Sequence, residues 1–190
     1  MMSMLRPGTA VGLFLLLLGL AGGCASPPYS STSTVSPRVL VSRDGMLRYR
    51  LPMGWFDATA DSQAVGHEVL LLRSDYAATI AVNEIRVDAQ ARRQIERGGL
   101  MQLAQLTMAL AAGGTPVTLQ QSPELFVLNG RQFCAYELVI SGARDLLRVV
   151  LFDTGTKVYA VHALVPGEKS GATAEEVFTA QQDFLNDLRW

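Results

Sequence analysis

From Arg131 to Val165 the chain reads RQFCAYELVISGARDLLRVVLFDTGTKVYAVHALV, and Glu124-Leu125-Phe126-Val127-Leu128-Asn129-Gly130 leads into it. Four runs rich in Val, Leu, Phe and Tyr stand out: Glu124 to Leu128, Arg131 to Ser141, Arg144 to Asp153 and Thr156 to Val165. Such composition favours strands. Between the runs stand Asn129-Gly130, Gly142-Ala143 and Thr154-Gly155. Asn-Gly and Gly-X pairs supply the positive φ that tight hairpin turns need. Links this short cannot hold a crossover helix, so the four strands must pair antiparallel.

On the C-terminal side, the polar loop Pro166-Gly167-Glu168-Lys169-Ser170-Gly171 leads to Thr173, with Glu176 three residues on. That is a capping box, and Val177, Phe178, Phe184, Leu185 and Leu188 supply an apolar helix face behind it. On the N-terminal side, Asp88 suits a helix N-cap for the stretch Ala89 to Ala112. Gly98-Gly99 interrupts that stretch, so a kink or a split is expected there. Three strands are expected ahead of it. Met46 to Leu51 alternates Met46, Arg48 and Arg50 with Leu47, Tyr49 and Leu51; Glu68 to Arg73 is nearly all apolar; Ala77 to Val87 alternates again. The order is β-β-β-α-β-β-β-β-α, an α+β domain over residues 44–190.

Before this domain the chain changes character. Arg6 precedes an uncharged core from Val11 to Leu20, the layout of a secretory signal peptide. Ten helical residues span only ~15 Å, about half of a hydrocarbon layer, so this is too short for a stable membrane span. The run Leu20-Ala21-Gly22-Gly23-Cys24 that closes it resembles the signal of bacterial lipoproteins. The resemblance implies cleavage of residues 1–23 and acylation of Cys24, with Ala21 standing where that family most often has Leu. Ala25, rather than Asp, follows the cysteine, which implies sorting to the outer membrane with the domain facing the periplasm. Residues 24–43 then read as the acylated cysteine and a flexible tether, because Ala25 to Arg38 is polar, proline-bearing and poor in core formers.

The element order, with Leu51-Pro52-Met53-Gly54-Trp55 at the end of the first expected strand, resembles the PsbP-like superfamily, which includes DcrB-type bacterial lipoproteins. That resemblance implies a central antiparallel sheet flanked by helices and a non-enzymatic, accessory role.

Composition agrees with a module that binds neither nucleic acid nor, by net charge, anionic lipid. Lys and Arg number 16 against 17 Asp and Glu, and loss of the leader would remove only Arg6. Of the two cysteines, acylation would consume Cys24 and leave Cys134 with no partner for a disulfide. No Gly-x-Ser-x-Gly elbow or phosphate-binding glycine pattern is present, so neither a catalytic centre nor a cofactor is expected. His67 and His162 lack a metal-binding spacing, and a two-histidine site would have to be made by folding. Cys134 reads as an inert core thiol, and Glu84 and Glu137 as residues of a wet sheet face. Tyr49, Trp55 and Phe56 are the candidate contact residues for a ligand or partner. Two functions follow: an envelope lipoprotein that docks on another envelope protein, or a carrier of a small apolar ligand held between sheet and helix near Trp55.

Overall fold

A computed structural model of the chain describes residues 35–60, 66–112, 116–142, 144–167 and 171–190. The leader and Cys24 therefore lie outside the described residues.

The strands are β1 (Val35–Val41), β2 (Arg48–Pro52), β3 (Trp55–Asp57), β4 (Val69–Arg73), β5 (Thr79–Ile85), β6 (Val117–Leu128), β7 (Arg131–Ile140), β8 (Asp145–Asp153) and β9 (Val158–Val165). Two helices, α1 (Ala89–Ala112) and α2 (Ala174–Asp187), complete the α+β fold. A seven-stranded antiparallel sheet runs β3-β4-β5-β9-β8-β7-β6, and β1-β2 form a separate antiparallel pair. The last strand in sequence is thus inserted at the centre. Its left-hand neighbour β5 precedes α1, while β8 on the other side comes from the meander β6-β7-β8-β9.

Alternation sorts the central strands between two cores. Tyr159, Val161 and Ala163 of β9 join Val150, Phe152, Phe133 and Val82 on one face, beneath α2 and the β1-β2 pair. Val158 and Ala160 join Leu151, Cys134, Tyr136 and Leu138 on the other, beneath Ile95, Leu100, Leu103 and Ala104 of α1. Because both faces are covered in this region, the strands read as nearly continuous apolar runs.

The expected local signals form. Thr173 accepts a hydrogen bond from Glu176 N at 3.2 Å and its own N–H reaches Glu176 Oε2 at 3.1 Å. Asp88 Oδ1 accepts from Ala91 N at 2.7 Å at the start of α1. Gly99, at φ 64° and ψ −163°, kinks that helix in a region closed to residues with a side chain. Asn129 and Gly130 both have positive φ, as a type I′ hairpin turn requires. Ala143, in the next expected turn, lies outside the described residues.

Three expectations are corrected. Five strands, not three, precede α1. Val35–Val41, inside the stretch read as tether, is strand β1, with Leu40 opposite Tyr49 and Val39 opposite Arg50. Its Pro37 is tolerated because an edge strand leaves one row of N–H groups unused, and a register shift falls between Val35 and Val39. The corner at Gly54 (φ 80°) leads straight into β3, a three-residue strand too short to leave a periodic signal. Finally, β6 starts at Val117 rather than Glu124; register shifts around Gln121 carry it past Pro123.

Candidate functional site

Tyr49, Trp55 and Phe56 do not converge on one groove. Tyr49 points inward from β2 at 1 % exposure, its ring 5.5 Å from that of Phe184 on α2. Its hydroxyl donates to Asp57 Oδ2 at 3.1 Å, and burial together with that carboxylate raises its pKa. Trp55 packs against the same core. Phe56, one residue on, lies on the opposite face of β3 and meets Tyr76 edge-on at 5.6 Å. An incoming molecule can therefore reach Phe56 and the 74 % exposed Tyr76, but not the Tyr49 ring.

Folding instead gathers charge at the loop between β1 and β2. Carboxylate oxygens of Asp44, Glu68 and Glu84 lie within 4.8 Å of one another, a spacing that could hold a cation. Lys157 supplies the positive charge from within the chain: its Nζ is 2.9 Å from Asp44 Oδ2 and 2.8 Å from Glu84 Oε2. Tyr159 donates to Asp44 Oδ2 at 2.7 Å, Ser42 to Asp44 Oδ1 at 2.6 Å, and Asp44 N donates to Glu68 Oε2 at 3.0 Å. Burial alone would raise the Asp44 pKa, yet hydrogen bonds from Ser42, Tyr159, Lys157 and the Met46 N–H hold it well below the usual carboxylate range. Lys157 is held charged by Glu84 and Asp44. Lys157 offsets part of the negative charge of the three carboxylates, and the cluster pins the 42–47 loop onto the ends of β5 and β9. Glu84 stood out in the sequence as an acid in an apolar run. Asp44 stands in an Asp44-Gly45 pair, which is a turn signal and no more, and Lys157, 113 residues away, carries no local signal at all.

The two histidines come together. His67 Nδ1 is hydrogen-bonded with Asn83 Oδ1, and burial, helped by the charge of His67, lowers the His162 pKa to about 4. Cys134 is fully enclosed, and burial pushes its thiol up, which fits an unreactive core residue. Glu137, only 16 % exposed, lies 4.0 Å from Arg148 Nε; burial raises its pKa against the pull of that guanidinium.

Among the described residues, two surface depressions stand out. One, of about 390 Å³, opens beside the α1 kink and is lined by Ile95, Gly99, Leu100, Arg131, Gln132, Asp153 and Trp190. Arg131 lies 4.0 Å over the Trp190 ring, whose other contacts include Phe152 at 4.9 Å. Arg92 closes one side by pairing with Asp153 at 2.9 Å. The second, of about 270 Å³, lies beside β2 and α2 and is rich in arginine: Arg48, Arg50 and Arg189 line it with Val39, Tyr49 and Asp187. Neither was visible in the sequence, since each assembles residues that lie far apart along the chain.

Comparison with known proteins bears on the fold. No family model matches the chain, and no curated protein matches it. Among solved structures, the Ran-binding protein Mog1p of Saccharomyces cerevisiae superposes with a TM-score of 0.55 at 12 % identity, covering 82 % of this chain and 96 % of that one. Cyanobacterial PsbP (CyanoP) of Synechocystis gives a TM-score of 0.53 at 12 % identity, covering 90 % of this chain and 98 % of its own. The fold is thus PsbP- and Mog1-like. At such low identity the likeness is one of architecture.

Proposed function

We propose that this protein is a lipid-anchored envelope lipoprotein whose PsbP-like domain acts, without chemistry of its own, as an accessory or protein-interaction module. The observation that carries the reading is the run Leu20-Ala21-Gly22-Gly23-Cys24 after an uncharged core, ten residues ahead of the first strand of a folded domain. Two or three acyl chains on Cys24 would hold the domain at a bilayer more or less permanently, since one myristoyl-sized chain already binds marginally. The outer membrane, seen from the periplasm, is the proposed address, because Ala25 follows the cysteine.

The test is metabolic labelling with radioactive palmitate followed by membrane fractionation. Label on the chain and retention in the membrane pellet after a salt wash are expected, and both should vanish in Cys24→Ser. A soluble mature chain with a free thiol at position 24 would overturn the reading. For the interaction role, photo-crosslinking from the exposed Tyr76, beside the half-buried Phe56, should capture one stoichiometric envelope protein.

A second reading is favoured by one feature. The depression beside the α1 kink, with apolar walls at Ile95 and Leu100, has the volume of a small-ligand site. It lies at the β7–β8 end of the sheet rather than near Trp55. Native mass spectra of the purified chain would decide: a retained small apolar molecule favours a carrier, and a bare mass the interaction module.

A further inference from the structure

The small β1-β2 sheet has two unlike faces. Leu40, Leu47, Tyr49 and, across a bridge from β2, Leu188 point into the core. Opposite-facing neighbours follow from the two-residue period of a strand. Val41 stands across from Arg48, and Arg48 in turn across from Arg189; Val39 stands across from Arg50. These five side chains form one outward surface. Val39 and Val41 are 52 % and 54 % exposed, and Asp187, 3.6 Å from Arg50 Nε, is the one acid among the described residues lining the adjoining depression. A chain with a formal net charge of −1 has thus placed three arginines and two valines on a single patch, with Arg189 Nη1 also donating to Asn186 O and Leu188 O at 2.8 Å.

We infer that this face docks the domain on the headgroups of anionic phospholipids. Charge complementarity is the first argument: a planar guanidinium matches a phosphate with two parallel hydrogen bonds, and exposed valines beside arginines suit the headgroup boundary. Reach is the second. Ten residues, 25–34, separate Cys24 from β1, and a fully extended chain of that length spans at most ~35 Å. β1 is the first strand after the anchor, so its outer face is among the surfaces best able to return to the bilayer that holds Cys24. The near-neutral total charge concealed this, because the field of a surface depends on where charges sit. The inference rests on the lipid-anchored reading above.

The acylated chain carrying Val41→Cys, labelled with an environment-sensitive fluorophore, should be reconstituted in vesicles of phosphatidylcholine alone or with one third phosphatidylglycerol, some of the lipid being brominated as a quencher. Cys134 is buried and escapes the label. Flotation with both vesicle types is expected from the anchor. Quenching at position 41 is expected only with phosphatidylglycerol, and a label at Val127, 69 % exposed on β6, should stay unquenched. Arg48→Gln, Arg50→Gln and Arg189→Gln should each lower the docked-to-undocked ratio about five-fold, Arg→Lys far less, and molar salt should abolish docking. If the chain floats with both vesicles while position 41 stays unquenched, or is quenched equally in both, docking is overturned and the anchor stands. A chain that floats only with phosphatidylglycerol, and only with its arginines, would support docking and overturn the anchor. No flotation at all would overturn both.

Discussion

His162 sits on β9 between β5 and β8, opposite Ala81 and Val149, and is half-buried there. Its pKa falls from 6.5 to about 4 in the folded chain. Between those values the unfolded chain takes up a proton that the folded chain refuses, so stability is fully present above pH 6.5 and declines as pH falls toward 4, by up to about 3 kcal/mol. In His162→Gln, urea midpoints measured across this window should flatten; an unchanged slope would assign the effect to other groups. Asp44 works lower on the scale. Its depressed pKa means that its contribution is kept above the ordinary carboxylate range and lost only in stronger acid. Both histidines and Glu84 could be named from the sequence, Glu84 as an acid within an otherwise apolar strand. Their partners could not, because Asn83, Asp44 and Lys157 become neighbours only through strand register.

At the scale of elements, single glycines and caps carry large consequences. Gly99 has backbone angles closed to other residues, although a methyl group there would meet no atom within 4 Å. Gly99→Ala should therefore cost about 1 to 3 kcal/mol through backbone strain alone, read as a lower denaturant midpoint. A smaller change would mean that α1 straightens, and the depression beside its kink should then close. β1 supplies the other test. If Val35–Val41 were only a tether, deleting it would leave stability untouched. As a strand that pairs with β2 and brings Leu40 against the core, its loss should cost roughly 2 kcal/mol. Capping box, kink and Asn-Gly hairpin were legible because each is a local backbone event. β1, β3 and the first half of β6 were not, since Pro37, three residues of length and Pro123 erase the alternation that would reveal them.

Across the whole molecule, β9 joins two halves that are far apart in sequence. Thr79 of β5 lies opposite Leu164, and Val82 opposite Val161, while β8 flanks β9 on the other side. The core on the α2 side draws from both halves, with Val69, Leu71 and Ile80 packed among Phe133, Phe152 and Tyr159. One cooperative unfolding transition is expected. The two tryptophans test it, Trp55 from β3 at one sheet edge and Trp190 beside β8 near the other. Single-tryptophan variants, Trp55→Phe and Trp190→Phe, should give superposable curves once their own stabilities are allowed for; separated midpoints would reveal two units. By itself the sequence determined the class of fold, the antiparallel meander, both helix starts and the expectation of an anchored chain, because turns, caps, periodicity and leaders are written in neighbouring residues. Tertiary structure alone decided that β9 would enter the middle of the sheet, that Lys157 would bridge Asp44 and Glu84, and that three arginines would share one face. Those outcomes depend on register between distant strands, and a one-residue shift in register would send each of these side chains to the opposite face.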